Sequence, residues 1–141
     1  MDLKMLVGDC MTRGVITLEK TKTVYDAAKL ISSKEIGSVI ITDKNDAIGI
    51  LTERDIVSKI VAKNKDPKKV KLDSVMSKPL KAIYAHQTIQ DAALAMRQNK
   101  IKRLAVLDKD NKLVGIITQG DLIAVYPGIV DIILDTPKEE L

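Results

Sequence analysis

The sequence contains no phenylalanine and no tryptophan, and tyrosine occurs only at Tyr25, Tyr84 and Tyr126. Single-stranded nucleic acid is held largely by bases stacking on aromatic rings, so this absence argues against such a partner. A single cysteine, Cys10, excludes an internal disulfide, and with a single histidine, His86, there is no His/Cys cluster for zinc. No apolar run approaches the roughly 18 residues of a membrane span, and the opening MDLKMLVGDC lacks the basic and long apolar stretches of a secretory leader. The expected setting is a reducing cytoplasm without membrane contact.

What is present is aliphatic. Isoleucine (18), leucine (14) and valine (12) supply 44 of the 141 residues, enough for one domain or two very small ones. The 23 basic residues, 19 of them lysine, are interspersed with 19 acids, giving a net charge of +4 and a mixed surface.

The chain is one unit written twice. A shift of 65 places Met11 on Met76, Thr23 on Thr88, Asp26-Ala27-Ala28 on Asp91-Ala92-Ala93 and Ile36 on Ile101. One extra residue in a loop then makes the shift 66, pairing Gly49 with Gly115, Thr52 with Thr118 and Asp55 with Asp121. Loops tolerate such insertions.

Each copy reads as strand, helix, strand, strand, helix. Val15–Leu18 predicts a short strand. Thr23 and Asp26 then form a capping box ahead of an apolar face at Val24, Ala27, Ala28 and Ile31, repeated at Thr88 and Asp91. The runs 38–42 and 47–51 flank a turn at 44–46 as a hairpin, matched by 103–107, a turn at 109–112, and 113–117. Both hairpins enter a helix at Thr-x-x-Asp: Thr52 to Asp55, and Thr118 to Asp121.

A unit of about 60 residues is marginal alone, so an α+β pair of repeats packed sheet to sheet with pseudo-two-fold symmetry is expected. The boundaries read as 1–64 for the first repeat, 65–71 for a lysine-rich linker, 72–126 for the second repeat, and 127–141 for a tail. Ile129, Val130, Ile132, Ile133 and Leu134 make that tail apolar up to Pro137, so it needs a surface on its own domain or on a second copy.

The ordered motifs Asp9-Cys10-Met11-Thr12, Thr23-Val24-x-Asp26-Ala27-Ala28, Ile36-Gly37-Ser38-Val39 and Gly49-Ile50-Leu51-Thr52-Glu53-Arg54-Asp55 resemble a cystathionine-β-synthase (CBS) domain. Val75-Met76-Ser77-Lys78-Pro79, Arg103-Leu104-Ala105-Val106 and Gly115-Ile116-Ile117-Thr118-Gln119-Gly120-Asp121 look like another. The resemblance covers residues 5–126. It implies a regulatory sensor module, commonly a homodimer acting on a regulated protein, that binds AMP, ADP, ATP, S-adenosylmethionine or NAD.

From the residues alone, Thr52-x-x-Asp55 and Thr118-x-x-Asp121 are equally two more capping boxes or a binding motif. Binding would place phosphate on helix amides and a threonine hydroxyl, and a ribose diol on the carboxylate. Gly49 and Gly115 favour binding, because glycine weakens a strand unless something must approach closely. The resemblance implies composite clefts. Thr52 and Asp55, with Arg54, would face Lys81, Ala82, Ile83, Ile101, Lys102 and Arg103. Thr118 and Asp121 would face Ile16, Thr17, Leu18, Ile36, Gly37 and Ser38. The more basic Asp55 side is expected to prefer the more phosphorylated ligand, and the Asp121 side to bind more weakly or to take a less anionic adenosyl compound. Without aromatic rings, adenine would rest among Ile16, Ile36, Ile83 and Ile101.

Other candidates read as structural. Cys10 reads as a small buried hydrophobe, His86 as a loop residue, and Met5, Met11, Met76 and Met96 as core. Paired carboxylates, a Ser/His arrangement and a metal cluster are all lacking, so no enzyme activity is expected. The alternative function is a basic nucleic-acid adaptor using the lysines from Lys63 to Lys71.

Overall fold

The computed structural model describes residues 4–134. The chain builds two compact units that do not follow the order of the repeats. Val15–Lys81 form a continuous unit; the described residues up to Gly14, together with those from Ala82 onward, form a discontinuous one.

In the continuous unit, β1 (Thr17–Glu19) runs parallel to β2 (Ser38–Asp43), which pairs antiparallel with β3 (Asp46–Thr52). Helix α2 (Val24–Lys34) connects β1 to β2, following the short α1 (Val7–Cys10) of the other unit. The capping box at Thr23 is formed: Asp26 N donates to Thr23 Oγ1 at 3.2 Å and Thr23 N to Asp26 Oδ2 at 3.1 Å. The first strand lies later than Val15–Leu18. The hairpin turn is shorter than expected, with Lys44 and Asn45 at φ 53° and 74° and Asp46 paired in β3. Two positive-φ residues in a two-residue loop match the twist of the hairpin. Beyond β3, α3 (Glu53–Ile56) widens into a π-helical turn over Val57–Val61.

The discontinuous unit repeats the plan. β4 (Ala82–Tyr84) is parallel to β5 (Arg103–Leu107), which pairs antiparallel with β6 (Leu113–Thr118). Helix α4 (Ile89–Asn99) connects β4 to β5, and α5 (Gln119–Val125) follows β6. The fold is α+β, with two three-stranded sheets, each bearing its own aliphatic core.

The units cross the repeat boundary because each repeat's leading segment docks in the other unit. Val7 N donates to Gln87 O at 2.8 Å, and Thr12 and Ile116 exchange backbone hydrogen bonds at 2.9 and 3.0 Å. Correspondingly, Leu72 N donates to Lys22 O at 3.0 Å, and Ser77 and Ile50 exchange bonds at 2.8 and 3.1 Å. The lysine-rich stretch is thereby tied into the continuous unit: Lys65 N donates to Ile60 O and Val24 N to Val70 O.

The apolar tail covers its own unit. After α5 a short turn (Pro127–Ile129) leads into α6 (Val130–Leu134), and Ile129 and Ile133 are buried in the same core as Ile89, Met96 and Leu122. Its burial therefore calls for no second copy. Pro137, the expected stop, lies outside the described residues. Among the described residues no helix is long and apolar enough to cross a membrane.

Candidate functional site

The two Thr-x-x-Asp motifs sit where an antiparallel hairpin strand turns into a helix. Thr52 and Thr118 are extended, with φ near −110° and −117°, and each begins a full capping box. Asp55 N donates to Thr52 Oγ1 at 3.2 Å and Asp121 N to Thr118 Oγ1 at 3.1 Å, while each threonine N–H donates back to the aspartate Oδ2 at 2.9 Å. The capping reading of both motifs is therefore realised. Whatever else they do uses what the caps leave free.

Each motif is anchored to the helix-to-strand junction of its own unit. Glu53 N donates to Gly37 O at 3.1 Å and Gln119 N to Lys102 O at 2.9 Å. Ser38 pairs with Thr52 and Arg103 with Thr118 in the register of the hairpins. Ile16, Thr17, Leu18, Ile36, Gly37, Ser38, Arg54 and Lys81 belong to the continuous unit with Thr52 and Asp55; Ala82, Ile83, Ile101, Lys102 and Arg103 belong to the discontinuous unit with Thr118 and Asp121. Ile36 and Gly37 line an open hollow of about 550 Å³ beside α2 and α3, together with Ile31, Glu53, Ile56 and Val57.

The glycines have a different explanation from the one expected. A Cβ on Gly49 would stand 2.6 Å from Met76 Sδ and 3.0 Å from Ser77 O; on Gly115 it would stand 2.6 Å from Met11 Sδ and 2.9 Å from Thr12 O. The close approach that needs glycine is made by the exchanged leading segment of the chain. The glycines therefore give no support to a ligand.

The carboxylates differ sharply. Asp55 is buried, at 7% exposure, and fully engaged. Its Oδ1 lies 3.1 Å from Lys59 Nζ, which also donates to Val75 O at 2.8 Å, and Ser77 Oγ donates to Oδ1 at 3.3 Å. Asp121 is half-buried and its Oδ1 has no partner among the described residues. The position equivalent to Lys59 is Val125, which carries no charge. Neither Lys59 nor Ser77 was among the expected site residues. The i,i+4 spacing of Asp55 and Lys59 on a helix is the signal that could have found the pair.

Cys10 is half-buried, its thiol 3.2 Å from Met5 Sδ. Burial, followed by the negative charges of Asp9 and Asp121, pushes the thiol pKa up, the opposite of an activated nucleophile. His86 stacks on Tyr84 with ring centres 5.3 Å apart. Met76 and Met96 are core residues, and Met5 and Met11 pack against the core.

A family model for the CBS domain matches residues 7–62 and again 72–128. An uncharacterized protein of Methanopyrus kandleri is 36% identical over 134 residues, covering 94% of this chain and 68% of that one. The CBS domain-containing protein YhcV of Bacillus subtilis is 34% identical over 116 residues, covering 82% and 81%. Among solved structures, a conserved CBS domain protein of unknown function from Thermoplasma acidophilum superposes with a TM-score of 0.83 at 30% identity, covering 92% of this chain and 75% of that one. A CBS domain pair solved in complex with 5′-methylthioadenosine and S-adenosyl-L-methionine has a TM-score of 0.78 at 26% identity, covering 88% and 97%. With two successive matches over most of its length, the chain belongs to the CBS domain family as a tandem pair of repeats.

Proposed function

We propose that this CBS pair is a regulatory module that binds adenosine-type ligands reversibly, the motif aspartates holding the ribose diol. The observation that carries the reading is Asp121: a carboxylate oriented by a complete capping box, with one oxygen left unpartnered among the described residues. An ionised carboxylate accepts two hydroxyl donors well, which suits vicinal hydroxyls. The solved relative that carries 5′-methylthioadenosine and S-adenosyl-L-methionine supports the same ligand class. Ligand binding would favour one arrangement of the module by its differential affinity, and a regulated protein would respond to that arrangement.

Thermal unfolding with AMP, ADP, ATP, S-adenosylmethionine, 5′-methylthioadenosine or NAD tests this. A ligand that binds only the native state stabilises it by RT ln(1 + [L]/Kd), about 2.7 kcal/mol at a hundredfold excess over Kd. The expected outcome is a concentration-dependent rise in melting temperature with at least one of them, the rise with 5′-methylthioadenosine being abolished in Asp121→Asn. No rise with any of them at millimolar concentration would refute the reading.

A further inference from the structure

Building on the ribose-holding role of the motif aspartates, we propose that Lys59 is an internal competitor for Asp55, so that the two motifs select different ligands. Asp121 offers a carboxylate oxygen that no described residue holds. Asp55 offers one only after its ammonium partner has been removed, because Lys59 Nζ sits 3.1 Å from Oδ1.

The pair is specific to one motif. Lys59 lies on the π-helical turn that extends α3, one turn beyond Asp55, and it also donates to Val75 O, a bond that displacement from Asp55 must break as well. In the other unit α5 ends at Val125, the equivalent position, whose side chain carries no charge. Asp55 is buried while Lys59 is more open, the side-chain exposures being 10% and 41%. Lys59 can therefore swing out into solvent, whereas Asp55 stays where it is. Leaving a buried carboxylate without a cation is unfavourable, so the ligand that displaces Lys59 must return hydrogen bonds to Asp55 and also compensate the loss of the ion pair.

A neutral nucleoside supplies the hydroxyls alone. A phosphorylated nucleotide also supplies negative charge for the released ammonium, which remains tethered close by. The consequence is a division of labour: Asp121 takes neutral adenosyl compounds, and Asp55 takes phosphorylated ones.

Isothermal titration of the full chain with 5′-methylthioadenosine and, separately, with ADP tests this. The wild type is expected to bind one equivalent of the nucleoside, lost in Asp121→Asn and kept in Asp55→Asn. In Lys59→Met a second equivalent appears, with affinity within roughly tenfold of the first, tenfold corresponding to about 1.4 kcal/mol. It disappears again in the double variant Lys59→Met/Asp55→Asn. Lys59→Gln, which keeps a donor to Val75 O, guards against a folding defect in Lys59→Met and is expected to gain the second equivalent as well. Two equivalent nucleoside sites in the wild type, or a single site in both Lys59 variants, would overturn the competitor. ADP is expected to bind the wild type and to be weakened by Asp55→Asn; ADP binding weakened by Asp121→Asn alone would overturn the division of labour while the ribose reading stands. If neither compound binds the wild type or any variant, the ribose reading falls and the competitor falls with it.

Discussion

Gly115 lies inside β6, where the backbone of the leading segment comes directly against it. A glycine inside a β-branched hairpin strand signals that something comes close, and something does: Thr12 O would lie 2.9 Å from a Cβ there, and Met11 Sδ 2.6 Å. The sequence marks the close approach but carries no label for what approaches, because the approaching segment lies about a hundred residues earlier in the chain. The methionine can turn aside, whereas the Thr12 carbonyl is fixed by its hydrogen bond from Ile116 N at 3.0 Å. Gly115→Ala is therefore expected to destabilise the protein by about 1–3 kcal/mol through overpacking, measured by chemical denaturation. Gly49→Ala should cost a similar amount, since Ser77 O stands 3.0 Å and Met76 Sδ 2.6 Å from the added carbon. Negligible losses would contradict the packing account. Asp55 and Lys59 make the complementary case: the motif aspartate is legible from its capping box, whereas the sequence does not say whether a lysine four residues on reaches the carboxylate or stays in solvent.

At the level of elements, what local chemistry dictates was legible. All four Thr-x-x-Asp boxes form, since a hydroxyl and a carboxylate three residues apart satisfy first-turn amides whatever surrounds them. Both hairpins also form close to their expected runs, because β-branched patterning and turn residues act locally. Helix ends and strand starts were less legible. β1 begins at Thr17 because its parallel pairing, Thr17 opposite Ile40, is set by a strand across the helical crossover. Helices α2 and α4 both close on a left-handed residue without glycine, Glu35 at φ 53° and Lys100 at φ 55°. A left-handed conformation is disfavoured for residues with a Cβ, and glycine is the usual choice there. Glu35→Gly and Lys100→Gly are each expected to raise stability by about 1 kcal/mol in a denaturant melt. Thr23→Ala should lower it by about 1 kcal/mol through loss of the N-cap. A loss of stability in both glycine variants would show that the side chains matter more than the backbone strain.

For the whole molecule, the duplication was plain in the sequence, and the exchange of leading segments was not. Residues 1–64 are a repeat along the chain, whereas packing in space unites Val15–Lys81. Nothing in the composition of the leading segments reveals which hairpin they will join, since both copies carry similar motifs. A fragment of residues 15–81 is accordingly expected to melt more cooperatively and at higher temperature than one of residues 1–64, which lacks the strand partner Ser77 and the buried Leu72 and Met76. Circular dichroism on heating distinguishes them; a 1–64 fragment that melts as sharply as 15–81 would refute the unit boundaries. The interrupted unit also sets an order of events during synthesis. As the polypeptide leaves the ribosome, Val15–Lys81 can close as soon as it has emerged, since folding units generally form from the N-terminal side first. Leu6–Thr12, made before that unit, must wait unpaired until Gln87 and Ile116 have been translated, so a segment synthesised ahead of the continuous unit finds its hydrogen bonds after it.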